Sequence, residues 1–277
     1  MTSTPTHTLN DGGTIPAIGL GTYGLHGDSG ADSIAAGIDG GYRLLDTALN
    51  YGNEQTVTEG IRRSGIAREE IFVTTKLPGR FHGYENTLKG FEESRENLGL
   101  DDVDLYLIHW PLPRVNQYVE SWKAMIELRE RGLVRSIGVS NFTVEHLTRV
   151  IDETGVTPAV NQVELHPYFP QSQLREFHER NGIITESWSP LGKGSGLLED
   201  PVVVDIAGGY EVSPAQVVLR WHTQLPSVPI PKSGDSVRQR ENLDIFSFTL
   251  DDSEMEAMSA LERGRLWGGD PETNEEF

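Results

Sequence analysis

At 277 residues, 36% hydrophobic and with 30 glycines, the chain can bury a sizeable core; no linker or composition break divides it, so one α/β domain over 1–277 is expected. Its 42 acidic residues against 23 basic give a net charge of −19, which repels nucleic acid and anionic membrane surfaces. The lack of cysteine excludes disulfides, thiol catalysis and cysteine-ligated zinc, and with neither a signal-like start nor an apolar run near the ~18 residues of a membrane span a cytoplasmic protein is expected.

In chain order, residues 7–9 turn at Asn10-Asp11-Gly12 into 14–15, a hairpin signal. Strand patterns follow at 17–21, 42–46, 71–76, 103–109, 134–140, 159–163, 183–187 and 227–230. Helical patterns lie between them at 29–39, 54–63, 85–98, 118–131, 144–153, 171–180 and 214–224, with 237–242 after the eighth strand. Residues 122–132 carry apolar side chains at helical spacing and stop at Gly132, and Ser213-Pro214 is a helix start. The run Asp104-Leu-Tyr-Leu-Ile-His109 is apolar on both faces, as a strand covered on both sides requires. Eight such βα units predict a (β/α)8 TIM barrel with an N-terminal hairpin, an extra C-terminal helix at 253–261 and a polar tail, 263–277, placed to cover the active face.

A parallel barrel gathers the C-terminal ends of its strands on one face. Here those ends carry Asp46, Lys76, His109, Asn141, Gln162, Trp188 and Lys232. Singly, an Asp at a strand end is often a helix cap, a Lys an ion-pair partner and a His beside Trp-Pro a core side chain. Their joint arrival at one face favours chemistry. A competing signal, Gly19-Leu-Gly21-Thr-Tyr-Gly24, fits the dinucleotide fingerprint, but Leu25-His26-Gly27-Asp28 separates it from the first helical pattern, and a Rossmann helix must start within the motif.

The segments Asp46-Thr-Ala-Leu-Asn-Tyr51, Ile-Phe-Val-Thr-Thr-Lys76, Leu-Tyr-Leu-Ile-His109-Trp-Pro, Gly138-Val-Ser-Asn141, Asn161-Gln-Val-Glu-Leu-His166-Pro and Ile230-Pro-Lys-Ser233 together resemble the aldo-keto reductase family over essentially the whole chain. Among its subgroups, tail length and spacing look like the bacterial 2,5-diketogluconate reductases. The resemblance implies reduction of aldehydes and ketones by hydride transfer from NADPH, in a monomer, with Tyr51 as proton donor. A phenol is a weak acid at neutral pH, and a neighbouring Lys76, held charged by Asp46, is expected to lower its pKa, while His109 positions the carbonyl.

The same resemblance implies a cofactor cradle. Ser140, Asn141 and Gln162 match the nicotinamide carboxamide contacts and Trp188 the ring platform. Ser189, Leu191 and Gly192, in a Gly-rich loop, run along the pyrophosphate, and Lys232, Ser233, Arg238, Glu241 and Asn242 match the segment for the adenosine end and its 2′-phosphate. Asp235 departs from the family pattern and is expected to weaken the preference for NADPH, leaving NADH as a second cofactor. Tyr23, Leu49, Trp110 and Trp267 are expected to line an apolar substrate pocket, and Pro78 after Leu77 puts gluconate-type specificity in doubt. Glu164 and His166 alternate as two metal-ligand types without a third, which reads as structural, so no metal is expected. Two other functions stay open: a Schiff-base aldolase on Lys76, which needs a depressed lysine pKa, and a cofactor-sensing barrel without turnover.

Overall fold

The computed structural model describes residues 4–267 and 269–276. An antiparallel hairpin comes first, β1 (Thr6–Thr8) against β2 (Thr14–Pro16), with His7 opposite Ile15. Leu9 and Ile15 are buried against Leu44, Leu105, Leu107, Val160 and Val228, so the hairpin plugs the N-terminal end of the barrel with apolar side chains.

Eight parallel strands then follow one another round the sheet in chain order. They are β3 (Leu20–Gly21), β4 (Leu44–Asp46), β5 (Phe72–Leu77), β6 (Val103–Ile108), β7 (Val134–Ser140), β8 (Val160–Glu164), β9 (Ile184–Trp188) and β10 (Ser227–Ile230). The ring closes where the Gly19 and Gly21 amides donate to the Pro229 and Pro231 carbonyls at 3.0 and 3.1 Å and Gly21 bridges Lys232. Pro229 and Pro231 have no N–H to return, which thins the ladder along this seam. The strand expected over 17–21 is two residues long, Leu20–Gly21. Gly19 permits the approach: a Cβ there would lie 2.6 Å from Ile230 Cδ1 and 2.7 Å from Leu44 Cγ.

Helices α1 (Gly27–Gly40), α2 (Glu54–Ser64), α3 (Tyr84–Leu98), α4 (Tyr118–Glu130), α5 (Val144–Thr154) and α6 (Ser172–Asn181) cover the outside between successive strands. Between β9 and β10 lie two helices, α7 (Pro201–Tyr210) and α8 (Pro214–Gln224); only the second was expected from the sequence. Asp200 caps α7 by accepting from the Val202 amide, with Pro201 in the first turn. Ser213 and Gln216 form a capping box on α8. After β10 come α9 (Ser236–Leu243) and the extra C-terminal helix α10 (Asp252–Ser259). Among the described residues no single helix is long and apolar enough to cross a membrane.

Register sets the layers inside the barrel. Asp46 pairs with Thr74, Ser140 with Gln162, Gln162 with Glu186 and Glu164 with Trp188. Because strand side chains alternate, Gln162 and Glu186 share one inward layer close to Asp46 and Lys76.

Candidate active site

Lys76 is fully buried near the end of β5, and its ammonium donates to Asp46 Oδ1 and Oδ2 at 2.7 and 2.8 Å and to the Thr47 carbonyl at 3.0 Å. Burial works against the charge, but the contacting Asp46 carboxylate more than offsets it, and the Lys76 pKa lies above the ordinary lysine value. Tyr51, in a short 3₁₀ turn at Leu49–Tyr51 after β4, presents Oη 3.4 Å from Lys76 Nζ. His109 follows β6, its ring 5.9 Å from that of Tyr51 at an interplanar angle of 73°. The four residues expected to carry the chemistry thus meet at the C-terminal face.

Lys76 acts on the Tyr51 phenol in the expected direction, downward through its charge and hydrogen bond, but burial outweighs it and the net shift is upward.

Asp46, Tyr51 and His109 floor a cleft of about 1060 Å³, bordered by Tyr23, Trp110, Ser140, Asn141, Gln162, Trp188, the Ser189–Gly194 loop, Lys232, Ser233 and Arg238. Asn141 has φ +63°, and its amide nitrogen donates to the His109 carbonyl and Ser140 Oγ, both at 3.0 Å. Its oxygen accepts from Trp188 Nε1 at 2.8 Å, so Asn141 ties three strand ends together and fixes the indole. Ser140 Oγ donates to the Gln162 carbonyl at 2.8 Å. Gln162 Nε2 donates to Asp46 Oδ2 and to Glu186 Oε2, each at 2.7 Å. Gly192, at φ +56°, turns the loop; a Cβ there would lie 2.8 Å from Ser195 Oγ.

The residue set fits a dinucleotide phosphate. Among the described residues neither Lys232 nor Arg238 has a carboxylate within ion-pair distance, although the chain carries a net charge of −19. Two free cations beside a cleft in an acidic protein call for an anion. Asp235 does not face that position as a free charge: Oδ1 accepts from the Val237 and Arg238 amides at 2.9 and 3.0 Å and caps α9, and these bonds hold its carboxyl below the usual range. Glu241 and Asn242, further along α9, lie outside the lining of the cleft. Of the four expected pocket residues, Tyr23 and Trp110 border the cleft; Leu49 is buried and does not line it, and Trp267 packs on Trp188 with ring centroids 5.8 Å apart.

The tail does lie over this face. The Arg263 and Gly264 amides donate to the Tyr168 carbonyl at 2.8 and 2.9 Å, Arg263 pairs with Asp200 at 2.8 Å, and the Leu266 amide donates to Glu164 Oε1 at 2.7 Å. Glu164 Oε1 also lies 3.1 Å from His166 Nε2, so this pair anchors the tail. The chain then runs back across the mouth, where Glu275 accepts from the Arg114 amide at 3.0 Å and Glu276 Oε1 comes within 2.9 Å of His109 Nδ1. A Cβ on Gly79 would sit 1.8 Å from the Glu276 carbonyl oxygen, so only glycine lets the tail seat there.

Sequence reasoning missed Glu186 and Glu276. Period-two spacing from Trp188 was a signal for Glu186, since it places a charged residue inside the barrel. Nothing local marked Glu276. A second groove of about 1230 Å³ lies near the N-terminal hairpin, but there Arg135 is paired with Asp102 and Asp104 and Arg43 donates to backbone carbonyls.

The family model described as "Aldo/keto reductase family" matches residues 17–263. The 2,5-diketo-D-gluconic acid reductase B of a Corynebacterium species is 56% identical over 277 residues, covering 100% of both chains. An aldo-keto reductase of Mycolicibacterium smegmatis is 49% identical over 97% of this chain and 98% of its own. Among solved structures, a variant of Gox0644 in complex with NADPH superposes with a TM-score of 0.94 at 48% identity, covering 99% of each chain.

Proposed function

The chain belongs to the aldo/keto reductase family and is an NADP-dependent oxidoreductase, and we propose that it reduces small aldehydes, dicarbonyls or keto sugars to alcohols with Tyr51 as the proton donor. The observation that carries this reading is the buried run of contacts from Asp46 through Lys76 to Tyr51 Oη at the floor of the cleft.

NADPH, when bound, supplies the hydride that the carbonyl carbon requires; the residues of the chain handle the oxygen. Tyr51 is a neutral phenol in the resting site and gives its proton to that oxygen as the carbon is reduced. Negative charge then develops on Tyr51 Oη, 3.4 Å from the Lys76 ammonium. The ammonium thus acts on the charge formed in the transition state and not by acidifying the resting phenol. Asp46 keeps Lys76 protonated and in place. His109 holds the carbonyl oxygen toward Tyr51. The aldolase reading of Lys76 requires a depressed pKa, and Asp46 moves it the other way.

Lys232 and Arg238 are the partners for a 2′-phosphate, which favours NADPH; Asp235 puts its own charge on the α9 N-terminus, which lessens that preference and leaves NADH as a weaker second cofactor. Ser140, Gln162 and Trp188 frame the nicotinamide, Asn141 holds Trp188, the Ser189 to Gly192 loop follows the pyrophosphate, and Glu241 and Asn242 serve the adenosine end. Glu276 beside His109 favours uncharged carbonyls over keto acids in the mouth. The reading is of one unit over 1–277 acting as a cytoplasmic monomer. Cofactor oxidation followed with NADPH and NADH against aldehydes, dicarbonyls and keto sugars tests it; NADPH binding without turnover on any of them supports a sensing barrel instead.

A further inference from the structure

Below the Asp46–Lys76 pair the barrel holds a carboxyl group that the reaction above does not use. Glu186 lies on β9 two residues before Trp188 and is fully buried. Its Oε2 accepts from Gln162 Nε2 at 2.7 Å, and the same nitrogen donates to Asp46 Oδ2 at 2.7 Å. A primary amide has two N–H bonds, and both are committed to carboxyl oxygens. Turning the amide over would set its oxygen 2.7 Å from the Asp46 carboxylate, which has no proton to give. The nitrogen is therefore held inward. Gln162 Oε1 has no hydrogen-bond partner among the described residues, and Gln162 borders the cleft.

Two charges face Glu186, Asp46 on β4 and Lys76 on β5, together with the uncharged Gln162 on β8. Lys76 is spent on Asp46, at 2.7 and 2.8 Å, and Glu186 has no cation of its own. Among the described residues Glu186 Oε1 is buried without a hydrogen-bond partner. Burial first, and the Asp46 charge second, push the Glu186 carboxyl up to about 8 against the pull of Gln162 and Lys76.

We infer that Glu186 is a positioning residue for the cofactor, which holds the Gln162 amide so that its oxygen accepts from the nicotinamide carboxamide. It does so as an uncharged acid at neutral pH. The inference rests on the cofactor placement proposed above. It assigns Glu186 no contact with substrate or with the reacting atoms.

The test uses the full chain with Glu186→Gln and Glu186→Leu, measuring NADPH affinity by fluorescence titration and thermal midpoints from pH 4.5 to 9. Glutamine reproduces the neutral acid and its acceptor, so its NADPH Kd at pH 7 stays within about twofold of the parent. Leucine is uncharged but offers no acceptor, and its Kd rises roughly five- to twentyfold, with kcat at saturating NADPH within about threefold. A carboxyl whose folded pKa lies above its unfolded value contributes stability at low pH that is lost as pH rises toward the folded pKa. The thermal midpoint of Glu186→Gln relative to the parent therefore climbs between pH 4.5 and about 8 and levels off above. A Glu186→Leu Kd equal to the parent's, or a Glu186→Gln Kd raised as far as expected for leucine, overturns the positioning role. A midpoint difference that is flat with pH overturns the neutral acid. If leucine prevents folding, the two glutamine measurements decide. Failure of the parent to bind NADPH refutes the cofactor placement and this positioning role, while the midpoint series still decides the charge on Glu186. Binding without turnover refutes only the reductase reading.

Discussion

Replacing Tyr51 with phenylalanine removes one oxygen and leaves the ring between Tyr23 and His109 in place, with centroid distances of 5.1 and 5.9 Å. The expected loss is about 10²- to 10⁴-fold in kcat with the NADPH Kd unchanged, which steady-state rates and a binding titration check together. Lys76→Met has a second cost, because it leaves the buried Asp46 carboxylate without its cation. Besides lost turnover, urea unfolding should show a destabilisation of about 3–5 kcal/mol. Asp235→Asn keeps a capping side chain on α9 but removes the charge beside Arg238. The ratio of kcat/KM with NADPH to that with NADH should rise roughly two- to fivefold, as loss of one partly exposed charge near a phosphate warrants. Asp46, Lys76 and His109 were legible because each falls at a strand end, whereas Tyr51, in the turn after β4, was legible only through the resemblance of its segment. The sequence did not reveal that Asp235 turns back onto its helix or that burial outweighs Lys76 at Tyr51, since both depend on neighbours set by folding.

At the scale of elements, the eight strands were readable because apolar runs end in polar residues, and most boundaries fall within one or two residues of expectation. α7 was not. Its Val202-Val-Val204 run and Gly208-Gly209 pair have low helix propensity, and only the Asp200-Pro201 cap signals a helix. Val203 and Ala207 are nonetheless buried with α8 residues Val217 and Trp221, and this packing overrides the local preference. The tail was legible as polar but not as to where it ends. Glu276→Gln removes the carboxylate at His109 and should raise kcat/KM for keto acids relative to uncharged aldehydes, by about three- to tenfold at low salt and less at high salt. An unchanged ratio would mean the tail does not face the substrate during turnover.

For the whole molecule, pH response follows from buried histidines. His178 sits between Asn161 and Thr185, and burial lowers its pKa to about 3; His222 is lowered to about 3 and His82 to about 4, chiefly by burial. A histidine whose folded pKa lies below its unfolded value contributes stability above the unfolded pKa, near 6.5, that is lost as pH falls. Glu186 and Glu54, whose carboxyls burial raises, work in the opposite direction over their own intervals but are outnumbered by the lowered histidines, which include His7 and His146. Urea midpoints should therefore be lower at pH 5 than at pH 7. The two ends of the chain meet opposite surroundings. The N-terminal hairpin plugs one end of the barrel, while the tail brings Glu276 against His109 at the other. A purification tag or surface tether fused before the hairpin extends away from the cleft, whereas the same tag fused after the tail starts at the mouth where substrate must enter. Immobilisation through the C-terminal end should depress turnover, and through the N-terminal end should spare it.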